Sequence, residues 1–278
     1  MKYLSIAPAP LLAQFIERFW YSSNAPVHQK VRIVPSGTIE LVFNLNEDEL
    51  GFYDKEQPAS CKSFSGAIFS GAHARPLFVD TREHVVGVHF KPGGAFRFLG
   101  VPAGELADTH VDLEALWGRS AKDLREQLCE AANPAKRLRV LERALVARLE
   151  NTSEEHRAVR AALDIFGRDA GEARTRDLAA HLGLSQRHFI KVFSNQVGIT
   201  PKQFGRVQRF QRALELTRSS STPDWADIVV ACGYFDQSHL IHDFRTFSGL
   251  TPTELHRQRI ERVLTNQLPL AEQVNFFQ

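Results

Sequence analysis

One stretch of this 278-residue chain is written twice, and that duplication constrains the fold more than any other feature. Asp177–Phe204 reads DLAAHLGLSQRHFIKVFSNQVGITPKQF, and Asp227–Leu255 reads DIVVACGYFDQSHLIHDFRTFSGLTPTEL. With one residue inserted in the second copy, Gly183 falls on Gly233, Ser185 on Asp236, His188 on His239 and Phe189 on Leu240. Phe193 then falls on Phe244, Gly198 on Gly249, and Thr200-Pro201 on Thr251-Pro252. Self-similarity at a fixed spacing means one supersecondary unit built twice.

Each matched position has a physical task. Leu178 and Ile228, with Ala179, Ala180 and Val229, give a short first helix an apolar face. Gly183 and Gly233 stand where that helix must stop, because glycine tolerates the left-handed conformation. Ser185 and Asp236 are N-cap residues for the next helix, in which Phe189/Phe193 and Leu240/Phe244, four apart, turn inward. Gly198 and Gly249 end it, and Thr-Pro caps and opens a third helix. Two helices joined by a glycine turn, the second one capped, make the helix-turn-helix pattern, expected at about 175–197 and about 225–248.

Charge agrees with that pattern. The formal net charge is only +2, yet Arg174–Arg218 holds nine Lys/Arg against Asp177 and Glu215, while Ser219–Gln278 holds four Arg against seven acids. Such a block is either a solvated helix face or a surface that neutralises phosphates.

From Arg174 to about Arg262 the chain resembles the AraC/XylS family of transcription regulators, with Gly233-Tyr234-Phe235-Asp236-Gln237 and Gly249-Leu250-Thr251-Pro252 as the most telling residues. The resemblance implies two helix-turn-helix subdomains joined by a long helix, here Pro201–Arg218, that read successive major grooves of double-stranded DNA. In a recognition helix the exposed N-terminal positions reach base edges. These are Gln186, Arg187, Ile190 and Lys191 in the first copy, and Gln237, Ser238, His239, Ile241 and His242 in the second. Arg187 suits guanine, Gln186 adenine and Ile190 a thymine methyl. Arg176, Ser185, Lys202, Arg206 and Arg245 are the expected phosphate contacts. His242 stands where the first copy has Lys191, and Asp243 adds a negative charge near the expected groove. The first unit is therefore expected to anchor, and the second to contribute weaker, pH-sensitive contacts.

The N-terminal part reads differently. Thr38–Leu45 alternates, with Ile39, Leu41, Phe43 and Leu45 on one face, and His84–Phe90 is a second strand-like run. Turn-formers at Pro35-Ser36-Gly37, Gly51 and Pro92-Gly93-Gly94 separate such runs, as in an antiparallel barrel or sandwich. Leu11–Tyr21 fits either a short helix or an edge strand. VPSGTIELVF and FKPGGAFRFLGVPAGEL resemble, less specifically, the cupin-like sensor barrels of the same family. After about residue 112 the pattern turns helical. Ser120 with Asp123 resembles a capping box, Asn133-Pro134 opens a helix striped by Leu138, Leu141, Leu145 and Leu149, and Ser153 caps another. The leucine stripe serves either the chain's own core or a dimer seam. The expectation is an α+β chain: residues 1–110 a β-rich sensor domain, 111–166 a helical linker or dimerisation region, 167–265 an AraC-type DNA-binding domain, and 266–278 a tail.

Arg32, Glu40 and His89 are the candidates for contact with a small-molecule effector; Glu40, alternating with apolar neighbours, faces either water or a polar pocket. Cys61, Cys129 and Cys232 are too far apart for a disulfide framework or a local zinc cluster, which suits a reducing cytoplasm. The N-terminus is a poor signal peptide, and no stretch is apolar enough to span a bilayer. An activator with RNA polymerase as a partner, a possible homodimer, no cofactor and no enzymatic activity is the reading that results. The alternative is a cupin-like metal-dependent enzyme fused to a DNA-binding domain, with His73, His84 and His89 as ligands, although no His-x-His pair is present.

Overall fold

The computed structural model describes residues 2–23, 30–53, 60–149, 156–168, 175–219, 222–264 and 276–277. Alternation in the N-terminal third builds two antiparallel sheets. One runs β1 (Lys2–Ile6), β2 (Ile16–Ser23), β9 (His84–Phe90), β4 (Glu40–Asn44), β7 (Ala67–Ser70) and β10 (His110–Asp112), in that spatial order. The other runs β11 (Phe276–Phe277), β3 (Lys30–Ile33), β8 (Leu77–Asp80), β5 (Leu50–Tyr53) and β6 (Cys61–Phe64). Leu11–Tyr21 resolves into a turn followed by β2, which is a central strand between β1 and β9 and not an edge. Gly51 lies inside β5 rather than in a turn.

The two faces of the first sheet do different work. Ile39, Leu41, Phe43, Val86, Val88 and Phe90 are buried in a large apolar core on one face. Glu40, Val42 and Val85 turn the other way, across a cavity, toward the second sheet. Helices close the core side: α1 (Phe96–Leu99), α2 (Leu113–Trp117), α3 (Arg119–Glu130) and α4 (Pro134–Arg148). Asn133 caps α4 by accepting from the Lys136 N–H at 2.9 Å. Leu138, Leu141 and Leu145 have no exposed surface, so the leucine stripe is spent inside the chain and not on a dimer seam. The expected capping box at Ser120 is absent: Gly118 precedes α3, and Ser120 Oγ donates instead to the Trp117 carbonyl at 2.7 Å.

The C-terminal part is helical: α5 (Arg157–Arg168), α6 (Thr175–His181), α7 (Gln186–Val197), α8 (Pro201–Leu216), α9 (Trp225–Ala231), α10 (Gln237–Ser248) and α11 (Pro252–Leu264). Phe166 of α5 meets Phe193 and Phe204 at ring-centroid distances of 5.9 and 5.3 Å, so α5 packs with α7 and α8. The core of α5–α7 runs on into the core under the first sheet. A second core surrounds Val207, Phe210, Leu240, Phe244 and Phe247, and takes in Val34 from just after β3. Ser153, residues 169–174 of the expected linker, and the tail apart from Phe276–Phe277 lie outside the described residues.

Candidate nucleic-acid interface and effector cavity

The duplicated sequence becomes duplicated geometry. Gly183 turns at φ +68° after α6, and Gly233 at φ +66° after α9, a conformation that a Cβ would strain. Each following helix is then capped in the same way. Ser185 Oγ accepts from the His188 N–H at 3.3 Å, and Asp236 Oδ1 accepts from the His239 N–H at 2.7 Å. Each cap satisfies a donor that the helix cannot. Phe189 and Phe193, like Leu240 and Phe244, point inward with almost no exposed surface. Ala180, expected inward, is exposed.

α8 joins the units. It opens on a full capping box, in which Gln203 N–H donates to Thr200 Oγ1 and Thr200 N–H donates to Gln203 Oε1. Thr251 and Glu254 repeat the box at α11, and the backbone N–H of Thr251 holds the Glu254 carboxyl below the usual carboxylate range.

These constraints leave one face of each second helix in solvent. Gln186, Arg187 and Lys191 are exposed on α7 and Ile190 is half-buried; Gln237, Ser238 and His242 are exposed on α10 and Ile241 is half-buried. His239 is half-buried, its ring edge-on to Tyr234 at 5.2 Å. Arg176, Ser185, Lys202 and Arg245 are exposed around the two helices.

Two residues depart from expectation together. Asp243 does not face a groove: it has no exposed surface and lies on the inward stripe of α10 with Leu240, Phe244 and Phe247. Arg206 is not a free phosphate contact: its Nη2 donates to Asp243 Oδ1 at 2.6 Å and its Nε to the same oxygen at 3.1 Å. The pair ties α8 to α10. Phe235, the residue inserted in the second copy, was not among the expected contacts. It is 91% exposed immediately before the α10 cap. An apolar residue beside an N-cap with no partner in the first copy was the available signal.

The cavity between the sheets has a volume of about 150 Å³. Valine, leucine and isoleucine side chains from both sheets line it together with Trp20 and Phe52. Glu40 reaches it, and its Oε1 accepts from His89 Nδ1 at 2.8 Å. His89 is buried behind Glu40, with Nε2 3.4 Å from Thr38 Oγ1, and does not itself line the space. Arg32 does not reach it at all. Val31 and Ile33 face inward, while the Arg32 guanidinium lies over the Phe78 ring at 5.5 Å, so the expected effector contact is corrected at that residue. His73 does line the cavity, near Ser70, and burial pushes its pKa down to about 4. His84 instead bonds Tyr21 at 2.7 Å. Among the described residues no three His, Cys, Asp or Glu side chains group as a metal-ligand set, and no helix is long and apolar enough to cross a membrane.

Residues 178–258 match a family profile described as a helix-turn-helix domain, and residues 4–112 match one described as a domain of unknown function, DUF6597. The probable transcriptional regulator LumQ of Photobacterium leiognathi is 31% identical over 77 residues, 28% of this chain; the match spans only 31% of LumQ's own length. Among solved structures, ToxT from Vibrio cholerae is 11% identical with a TM-score of 0.48, covering 92% of this chain and 98% of that one. Wild-type ToxT with a bound unsaturated fatty acid is 10% identical with a TM-score of 0.47, covering 86% and 94%. A DNA-binding transcriptional dual regulator from Escherichia coli K-12 is 23% identical with a TM-score of 0.34, covering 40% of this chain and 100% of that one. The two capped units in tandem thus lie in a stretch that is similar to a helix-turn-helix profile and, over 77 residues, to a probable transcriptional regulator.

Proposed function

We propose that this regulator grips two successive major grooves of one duplex through α7 and α10, and that a small molecule in the inter-sheet cavity controls the grip. The observation that carries the first part is the solvent-exposed N-terminal face of both helices, each held in place by its own side-chain cap. Arg187, Gln186, Ile190 and Lys191 make the stronger base-reading set, and Gln237, Ser238, His239 and His242 the weaker one. Arg176, Ser185, Lys202 and Arg245 hold phosphates. Phe235 adds an apolar contact at the edge of the second groove, where a thymine methyl or a sugar can pack on it.

The second part is supported by a shared segment. Val34, Pro35, Ser36 and Thr38 form one end of the cavity wall. The same segment holds the linker helix: Gln208 Nε2 donates to the Ser36 carbonyl at 3.0 Å, Gln211 Nε2 donates to the Pro35 carbonyl at 2.6 Å, and Gly37 packs against Phe204. A ligand that moves this wall changes the seat of α8, and so biases the two units toward or away from a common duplex. Activation through contact with RNA polymerase, action as a homodimer and a cytoplasmic location complete the reading.

Genome-wide mapping of bound DNA, followed by anisotropy titrations on the recovered sites, tests it. The expected result is specific binding whose affinity falls steeply with salt, as phosphate contacts require. Binding indifferent to sequence and to Arg187 would overturn it.

A further inference from the structure

The inter-sheet cavity has a chemistry more specific than its apolar walls. β-Sheet register sets a polar row along one end: Glu40 stands opposite His89 on one neighbouring strand and opposite Ser70 on the other, and Ser70 stands opposite His110. Directly opposed residues share a sheet face, so these side chains belong together. Thr38 and His73 join them, at 3.4 Å from His89 and 3.3 Å from Ser70.

Within that row Glu40 is incompletely served. His89 takes Oε1, while Oε2 has no hydrogen-bond partner among the described residues. The side chain is 24% exposed, and the space it meets is walled mainly by valine, leucine, isoleucine and aromatic groups, with Asp80, Arg82 and a few hydroxyl side chains also at its edge. A carboxylate oxygen at the edge of a mainly apolar cavity is a natural acceptor for a donor carried in by a ligand.

The positive groups of the cavity do not compete for the opposite kind of ligand. Arg82 is held between Asp80 at 3.4 Å and Glu47 at 3.5 Å. Arg75, 74% exposed, leans out toward Asp108 at 4.0 Å. Burial keeps the His73 and His110 rings neutral at neutral pH, with pKa values pushed down to about 4 and about 2. Size narrows the class further: a cavity of about 150 Å³ holds a body the size of benzene.

We propose that the cavity takes a one-ring-sized apolar ligand carrying a hydrogen-bond donor, an amine or a hydroxyl, which seats on Glu40 Oε2. The inference rests on the effector reading of the cavity given above. An ammonium head would gain a charge-assisted hydrogen bond to the carboxylate.

Calorimetric titration of the full chain with 2-phenylethylamine, 2-phenylethanol and phenylacetate tests the head group on one constant body. The amine should bind at least roughly tenfold more tightly than the acid, the worth of one hydrogen bond to a charged group. Glu40→Gln should weaken the amine by about the same factor and the alcohol far less, because a glutamine carbonyl still accepts. Val79→Phe, which fills the cavity from the opposite sheet, should remove binding of all three. Acid binding as tight as amine binding, an amine affinity untouched by Glu40→Gln, binding that survives Val79→Phe, or no binding of any of the three would overturn the proposal. DNA affinity of the same preparation without probes separates the two readings: its loss sinks the regulator, and the titrations judge the cavity alone.

Discussion

Arg187 and His242 face solvent on equivalent helices, but with unequal chemistry. A guanidinium can donate two parallel hydrogen bonds to guanine, whereas an imidazole offers one contact at a time. Arg187→Ala should cost about 1–3 kcal/mol of binding and relax specificity at one base position. His242→Ala should cost less, as anisotropy titrations on single-base operator variants will report. Asp243 is a different case. Removing its carboxylate leaves Arg206 facing an apolar core, and breaking a buried pair costs roughly 3–5 kcal/mol. Arg206 is still 30% exposed, so Asp243→Ala should fall at or below the low end of that range in urea denaturation. His73 predicts a pH effect. At neutral pH its ring is neutral in both folded and unfolded chains, so it contributes nothing there. Below the ordinary value of 6.5 the unfolded chain binds a proton that the buried ring refuses until about pH 4. Stability therefore falls as pH drops through that window, by up to about 1.4 kcal/mol per pH unit from this group. His73→Gln should flatten the dependence of the urea midpoint between pH 6.5 and 4.

At the scale of elements, α8 bears the most consequence. It links the two units, and it rests on a segment that also walls the cavity. Thr200→Ala removes its cap and should cost about 1 kcal/mol of stability. The double substitution Gln208→Ala, Gln211→Ala should leave a folded protein with altered DNA affinity, and amide exchange should rise in segment 34–38; unchanged exchange there would refute the shared-segment account. The caps, glycine turns and inward phenylalanines of both units were legible in the sequence because each obeys a local rule. Asp243 was expected at the groove and lies inside, although positions 240, 243, 244 and 247 already form one helical stripe. Arg32 could have been set aside on the same grounds: in Lys30–Ile33 the alternation already puts Val31 and Ile33 on one face and Arg32 on the other. The row around Glu40 was not legible, because it depends on pairing between strands 30 to 49 residues apart, which no local pattern encodes.

Across the whole molecule, one apolar core runs from the first sheet into α5–α7, and a second holds α8–α10 together with Val34, just after β3. The sequence suggested separable sensor, linker and DNA-binding parts. The apolar packing runs across that division and joins the first helix-turn-helix unit to the first sheet, so a change at the cavity need not travel through a flexible connection. Such coupling shifts populations only if a ligand binds the two arrangements unequally. The central claim is that α7 and α10 read one duplex side by side. Hydroxyl-radical footprinting of the full chain on a site recovered from genome mapping tests it most directly. The account predicts two protected segments on one face of the DNA, about one helical turn or 10 base pairs apart, with Arg187→Ala weakening one of them selectively. A single protected groove, or two patches on opposite faces of the duplex, would contradict it.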